Sequence, residues 1–235
     1  MDGQGSPAIG TEPRGALRRR CFQRVKSALC REPRRRSTYS APVTLLLARL
    51  WLRVWRWKVL PPQEHVPDRC VMIAAPHSTN WDFPLTLAIA KVSGIRINWL
   101  GKDALFRGPM GPIMRALGGV PIDRSAPGGM VAQLASQFTE HERLVLVVPA
   151  EGTRSRTEHW KSGFYRSAEA AGVPIVCAFV DSTTRTGGFG PVVTPSGDLT
   201  ADMDRIRDFY AGREGLKPGR FGPVRLREED AAPTA

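Results

Sequence analysis

From residue 61 onward, short apolar segments alternate with segments of helical periodicity. The apolar segments, predicted to be buried strands, span residues 70–75, 95–100, 119–122, 144–148 and 173–180. The helical segments between them span 83–92, 105–117, 128–140 and 163–171, each beside a proline or glycine. A weaker alternation at 189–194 predicts an edge strand, and 201–212 a closing helix. Because strand–helix alternation requires crossover connections, the sequence predicts an α/β fold with a mainly parallel sheet flanked by helices.

The positive charge of the chain lies almost entirely before the predicted sheet. The net charge is +12. Residues 1–60 carry 14 basic and three acidic side chains, whereas the remaining residues carry 20 and 19. Residues 1–40 are rich in Gly, Pro, Ser and Arg, a composition typical of a disordered basic tail. Residues 221–235 are also predicted to be a disordered tail, which leaves 61–220 as the folded domain.

Residues 41–60 have the pattern of an amphipathic helix. At 100° per residue, Arg49, Arg53 and Arg56 share one narrow stripe. The apolar side chains opposite to it are Val43, Leu47, Leu50, Trp51, Val54 and Trp55. Four charges argue against a membrane-spanning helix, and the mixture of Trp and Arg favours a helix that lies in a membrane interface. Two alternatives remain: a helix packed on the protein's own core with a solvated basic face, and an arginine-rich arm that binds nucleic acid.

The cysteine pattern favours a reducing compartment. The chain has four cysteines, with no CxxC pair and no zinc-ligand spacing, and Cys70 and Cys177 lie within predicted strands. The first 40 residues lack the apolar segment of a secretory signal. We therefore expect a cytoplasmic protein without a metal site. The absence of GxGxxG and GxxxxGK[ST] motifs argues against the two nucleotide-binding folds that use them.

The first candidate site follows the strand predicted at 70–75. His77 comes directly after this strand, and Asp82 lies five residues further on, across a predicted strand-to-helix junction. In open α/β sheets, ligands bind at the carboxyl ends of the strands. Histidine exchanges a proton near neutral pH, and a carboxylate on its other ring nitrogen fixes the tautomer and stabilises the imidazolium. The alternative is structural, with Asp82 capping a helix and His77 packed beneath it.

The second candidate site follows the strand predicted at 144–148. Residues 151–155 read Glu-Gly-Thr-Arg-Ser, again at the carboxyl end of a strand. Gly152 permits close approach of the backbone to a ligand, Thr153 offers a hydroxyl, and Arg154 offers a planar guanidinium that matches a phosphate. The alternative is an exposed polar turn with a salt bridge between Glu151 and Arg154.

Four blocks of sequence, taken together and in this order, resemble those of the glycerolipid acyltransferases, the family typified by 1-acylglycerol-3-phosphate O-acyltransferase. Residues 77–82 resemble the HxxxxD box of that family, and residues 151–155 match its EGTRS box residue for residue. Between them, residues 101–124 resemble the second block, and residues 173–175 are similar to the short fourth block. The resemblance extends over about 105 residues, which assigns residues 61–220 as an acyltransferase domain.

The resemblance implies transfer of a fatty acyl group from a thioester, acyl-CoA or acyl-carrier protein, to a hydroxyl of a membrane lipid. Lysophosphatidate is the default acceptor. His77 would be the general base, and Asp82 would orient it. Backbone amides after His77 or at the helix start would stabilise the oxyanion. The thioester is a co-substrate, and no cofactor is implied.

The same resemblance assigns the acceptor site. Glu151, Gly152, Thr153 and Arg154 would bind the acceptor, with Arg154 on its phosphate; Lys102 and Arg124 of the second block are further candidates for phosphate contact. The expected partners are a membrane lipid surface, the lipid acceptor and the acyl donor, at the cytoplasmic face of the cell membrane. Nucleic acid is not expected.

Two questions remain open from the sequence. The first box lacks the serine that many family members carry two residues after the histidine, so other hydroxylated or glycosylated lipids are alternative acceptors. Two other functional classes are also alternatives. One is a non-catalytic lipid- or nucleic-acid-binding protein on the same fold, and the other is a lipid or thioester hydrolase.

Overall fold

A seven-stranded sheet with helices on both faces forms the centre of the molecule. The computed structural model describes residues 42–122 and 129–230. The strands are β1 (Lys58–Val59), β2 (Arg69–Ala75), β3 (Asn98–Lys102), β4 (Gly119–Ile122), β5 (Leu144–Val148), β6 (Ile175–Asp181) and β7 (Thr186–Val193). The helices are α1 (Pro42–Val54), α2 (Asp82–Val92), α3 (Met110–Ala116), α4 (Gly129–Glu140), α5 (Gly163–Ala171) and α6 (Leu199–Tyr210), with 3-10 turns at Asp103–Phe106 and Arg227–Asp230.

The strands lie in the order β1-β7-β6-β2-β5-β3-β4. Every neighbouring pair is parallel except β6 and β7, which are antiparallel. The predicted fold class, a mainly parallel sheet flanked by helices, is therefore confirmed. In β2 and β5 the register pairs Ile73 with Val148, so these two central strands end side by side at the same edge.

The apolar strands are buried because both of their faces are covered. Along β2, Val71 and Ile73 belong to one core and Cys70 and Met72 to the other, as the two-residue period of a strand requires. The first core also holds buried side chains from α4, α5 and α6, and the second holds side chains from α1 and α2. This explains why the strand sequences are continuous apolar runs rather than alternating ones.

Strand β7 is not the edge strand that the sequence predicted. The short strand β1 pairs with it in parallel, Lys58 with Thr186 and Val59 with Gly187, so β7 lies between β6 and β1. Two paired residues carry too little periodicity to be recognised in a sequence.

Helix α1 ends at Val54, six residues before the predicted end of the amphipathic segment at residue 60. The Trp57 amide donates to the Leu52 carbonyl, and Arg56 has a left-handed φ of 58°, which turns the chain into β1. Leu52 is buried against the sheet domain. The apolar side chains on the outer side of α1 are more than half exposed; they are Val43, Leu46, Leu47, Leu50 and Val54. Across the described ranges, no helix combines the length and apolar character needed to cross a bilayer.

The predicted disordered tail over 221–235 is wrong for residues 221–230. Val224 and Leu226 are buried in the first core, and Leu226 forms a parallel bridge with Trp160. The guanidinium of Arg207 in α6 pairs with the Glu229 carboxylate. The segment is rich in charged residues, and this composition led to the prediction of disorder. Its apolar side chains at alternate positions, Val224 and Leu226, nevertheless pack into the core and hold it in place. Residues 231–235, and the predicted basic tail at 1–40, lie outside the described residues.

We expect Leu226→Ala to lower the free energy of unfolding by about 2–5 kcal/mol, the usual cost of a cavity at a fully buried leucine. Chemical denaturation would measure this change. Arg227→Ala, at the exposed neighbouring position, is the matched control and should change stability little. Equal stabilities for the two variants would contradict the packing of this segment.

Candidate functional site

Two loops meet at the edge of the sheet where β2 and β5 end. The loop after β2 carries His77 and leads into α2, whose first residue is Asp82. The loop after β5 carries residues 151–155. Because these strands are neighbours in the sheet, the two motifs become adjacent although they are 74 residues apart, and the His77 amide donates to Glu151 Oε2 at 3.0 Å.

The carboxylate of Asp82 organises the first loop. Its Oδ2 accepts hydrogen bonds from the amides of Ser78, at 2.6 Å, and Thr79, at 2.7 Å. Its Oδ1 accepts from the Thr79 hydroxyl at 3.1 Å. Asp82 is 4% exposed, so these donors replace the water that the charge loses on burial.

His77 lies against the same carboxylate, with its Nδ1 3.2 Å from Asp82 Oδ2. A proton on Nδ1 facing this carboxylate leaves Nε2 as the proton-accepting nitrogen. The His77 side chain is 20% exposed and lines a cavity. The five-residue spacing thus brings the two side chains together across the strand–helix junction, and the arrangement is that of a base oriented by a carboxylate.

Glu151 is buried next to the His77 backbone and does not line the cavity. It is 2% exposed, and its Oε2 holds the His77 amide. Burial, with a smaller contribution from the negative charge of Asp82, raises the pKa of Glu151 to about 8, although the hydrogen bond from His77 acts in the opposite direction. We predicted this residue as a substrate contact; the structure gives it a contact with the histidine backbone instead.

The cavity beside His77 has a volume of about 840 Å³ and two chemically different ends. Its polar end is lined by His77, Asp82, Asn80, Lys102, Gly152, Thr153 and Arg154. Its apolar end extends between α2 and the sheet and is lined by Phe83, Ile89, Ile97, Trp99, Val180 and Phe189. A space of this size and character fits a ligand with a polar head and a long apolar part.

The predicted anion-binding residues lie at the polar end. Gly152 has a φ of 67°, and a Cβ there would lie 2.8 Å from Lys161 Cγ, so the turn requires glycine. Thr153 and Arg154 follow it on the cavity wall, with exposed side chains, and Lys102 reaches the same wall from the end of β3. Arg124 lies outside the described residues.

A third segment, residues 215–220, contacts both loops, although the sequence analysis did not associate it with the site. Ser78 is 1% exposed, and its hydroxyl accepts from the Lys217 amide at 3.0 Å. Arg220 Nη1 donates to the carbonyls of Ser78 and Arg154, each at 3.3 Å. A Cβ at Gly215 would lie 2.7 Å from Ser78 Oγ, so glycine is needed for this close packing. The segment is about 140 positions from His77, and no motif in the sequence connects them.

The raised pKa of Glu151 predicts a pH-dependent difference between wild type and Glu151→Gln. The folded chain keeps a proton that the unfolded chain releases above 4.5, so this group lowers the free energy of unfolding as pH rises from 4.5 to about 8. The Gln variant lacks this loss. Its stability relative to wild type should therefore rise over that window, by at most about 1.4 kcal/mol per pH unit, and level off above it.

Denaturant titrations at a series of pH values would measure this difference. The control is Glu142→Gln, which removes a carboxyl from an exposed position. A Glu151→Gln difference that stays constant across the window would show that the carboxyl is ionised in the folded chain.

Comparisons with known proteins give the family and the fold of this chain. A model of the acyltransferase family matches residues 61–181, just over half of the 235 residues. The crystal structure of the 1-acyl-sn-glycerophosphate (LPA) acyltransferase PlsC from Thermotoga maritima is similar in fold, with a TM-score of 0.52, 17% identity, and coverage of 80% of this chain and 83% of that one. A search of curated protein sequences gives no match. The predicted relationship is confirmed: the chain belongs to the acyltransferase family.

Proposed function

We propose that this acyltransferase moves a fatty acyl group from acyl-CoA or acyl-carrier protein to a hydroxyl of a membrane lipid, in phospholipid synthesis or remodelling. Lysophosphatidate is the first acceptor to test. The observation that carries the proposal is the His77–Asp82 pair, which lines the polar end of a cavity whose other end is apolar.

His77 Nε2 takes the proton of the acceptor hydroxyl as its oxygen attacks the thioester carbonyl carbon. Asp82 stabilises the imidazolium that forms. The tetrahedral intermediate then collapses, the carbon–sulfur bond breaks, and the thiolate recovers the proton from His77. The new ester and a free thiol are the products. The chemistry requires no resident cofactor, because the acyl donor is a co-substrate.

The oxyanion donor that we propose differs from one of the two sets expected, the amides directly after His77. The amides of Ser78 and Thr79 already donate to Asp82, so they are occupied. Asn80 lies on the cavity wall beside His77, and its side-chain amide supplies N–H donors. We therefore assign Asn80, rather than the amides directly after His77, to the developing negative charge.

The two ends of the cavity suit the two parts of the substrates. The acyl chain occupies the apolar end between α2 and the sheet. The acceptor's phosphate lies at the polar end, where Arg154 and Lys102 supply positive charge and Thr153 a hydroxyl. Glu151 positions His77 from behind, and Gly152 shapes the turn that presents Arg154.

The enzyme works at the cytoplasmic face of the membrane as a peripheral protein. Two surfaces support its association with a membrane. One is the outer side of α1, where Leu46 and Leu47 are 63% and 59% exposed. The other surrounds the cavity, where Trp81 is 67% exposed and Leu105, a lining residue, is 48% exposed. Insertion of these side chains at the interface would bring the cavity to substrates that reside in the bilayer.

The decisive experiment follows labelled palmitoyl-CoA with purified protein and vesicles that contain lysophosphatidate. Label should enter a diacyl lipid, and His77→Ala should lower kcat by about 10²–10⁴ with the fold retained. His65→Ala, at an exposed histidine away from the cavity, is the matched control. Equal activity in His77→Ala would overturn the proposed role.

Free fatty acid as the sole labelled product would identify a hydrolase. If no lipid is labelled with palmitoyl-CoA, the assay is repeated with palmitoyl-acyl-carrier protein, and failure with both donors would overturn acyl transfer to this acceptor.

Arg220 acts as a positioning residue, since its guanidinium joins the loop of His77 to the loop of Arg154. Arg220→Ala should lower kcat by about 10- to 100-fold, the cost of a small misplacement of reacting groups, while KM for the thioester stays near the wild-type value. Arg220→Lys should recover part of the loss, because an ammonium can bond one of the two carbonyls.

Steady-state kinetics on detergent-dispersed substrate would separate these effects. Arg225→Ala is the control, because Arg225 lies five residues further along the chain and pairs with Asp230. A loss of thermal stability in Arg220→Ala without a change in kcat would show that the residue is only structural.

A further inference from the structure

A second cleft, separate from the catalytic cavity, lies where the end of α1, the strand β1 and the β6–β7 turn meet. Its volume is about 780 Å³. Five cationic side chains line it: Arg49, Arg53, Arg56, Lys58 and Arg185. The hydroxyl residues Thr183 and Thr184 also line it, and its lining includes no aspartate or glutamate.

The charges in this cleft are uncompensated within the described part of the chain. None of the five cations forms an ion pair there, and the Arg185 guanidinium donates from Nη1 to the Trp55 carbonyl at 3.3 Å. The neighbouring acid, Asp181, is buried, and its carboxylate accepts from the Thr183 amide and the Thr184 hydroxyl. A concave surface with five like charges attracts anions strongly.

The backbone turns sharply at two of these residues. Arg56 and Arg185 have φ values of 58° and 50°, and they are the non-glycine residues with positive φ in the described chain. Left-handed backbone is unfavourable for arginine, so it persists only where the surrounding structure imposes it. Arg56 precedes β1 and Arg185 precedes β7, so a cation from before each of the two paired strands lines the same cleft.

The cleft adjoins the exposed apolar strip of α1. Leu46, Arg49 and Arg53 follow one another at three- and four-residue spacing, so the arginines flank the strip on one side. Leu46 and Leu50 are 63% and 58% exposed. The cationic cleft needs anionic groups, and the apolar strip beside it needs hydrocarbon. The headgroup region of an anionic bilayer presents phosphates next to hydrocarbon and so matches both.

We infer that this cleft binds the phosphate groups of anionic phospholipids and gives the enzyme a preference for anionic over neutral membranes. The inference rests on the membrane association proposed above and adds a lipid-binding site distinct from the catalytic cavity. All five cations lie outside residues 61–181, so the charge of this cleft comes from parts of the chain that the family match does not include.

Vesicle sedimentation of the full chain would test the inference. The vesicles are phosphatidylcholine alone, and phosphatidylcholine mixed with an equal amount of phosphatidylglycerol. The double variant Arg53→Gln/Arg185→Asn removes one charge from each side of the cleft, and asparagine tolerates the left-handed backbone at position 185. Its affinity for the anionic vesicles should fall about 25-fold, since each near-surface cation contributes about fivefold. Its affinity for neutral vesicles should not change.

Arg143→Gln/Arg166→Gln is the matched control. It removes two exposed cations, one beside β5 and one on α5, whose buried side chains pack on the opposite face of the sheet from α1. Its effect on anionic vesicles should be no more than about fivefold. A double cleft variant that keeps the full preference for anionic vesicles, or a control variant that loses as much of it, would overturn the inference.

A second pair of substitutions separates this inference from membrane association itself. Leu47→Ser/Leu50→Ser, on the exposed strip of α1, should weaken binding to both kinds of vesicle. If wild type bound neither kind, membrane association would fail, whereas turnover of detergent-dispersed substrate would still test acyl transfer. Retained turnover in the double cleft variant would show that its catalytic site is folded.

If the cleft variant lost affinity for duplex RNA while its vesicle binding stayed unchanged, the cleft would be a nucleic-acid site and the inference would be wrong.

Discussion

The hydrogen bonds to Asp82 are the interaction on which the site depends. One buried carboxylate, accepting from two backbone amides, a hydroxyl and the His77 ring, fixes the whole turn between β2 and α2. A shared acceptor couples the loop conformation to the orientation of the histidine. Because these two amides donate to Asp82, a ligand in the cavity has to find its hydrogen-bond donors elsewhere on the wall.

The sheet determines which loops can meet. The parallel pairing of β2 with β5 places residues 77 and 151 side by side, and the Glu151 carboxyl then holds the His77 amide from within the protein. Residues 215–220 also contact the loop that carries His77, because the Lys217 amide donates to the Ser78 hydroxyl and Arg220 donates to the Ser78 carbonyl. His77 is therefore held by a strand, by a buried carboxyl and by the segment that contains Lys217 and Arg220, and these contacts fix its position without a long rigid element of its own.

The sequence predicts what depends on local pattern and misses what depends on packing. The strands at 119–122 and 144–148 and the helix at 163–171 have the predicted bounds, because a glycine or proline lies directly outside one end of each: Gly118, Pro149 and Gly172. Strand β3 begins at Asn98 rather than 95, since the Ile95 amide bonds to the Ala90 carbonyl and so closes α2. The HxxxxD and EGTRS motifs identify His77 and Arg154, but nothing in the sequence near Arg220 indicates that it donates to both loops.

Helix α2 contributes residues to the candidate site, to the cavity beside it and to the cationic cleft. Its first residue, Asp82, orients His77; Thr86 and Ile89 in its middle line the cavity; and Val92 at its end lines the cationic cleft. Helix α1 packs against it through Trp51 and the buried Leu52 and leaves an apolar strip outside. Exposed leucines that the fold does not bury are costly in water, and the cost falls when a membrane covers them. An interface that takes up α1 would therefore also orient α2, and with it the cavity that His77 lines.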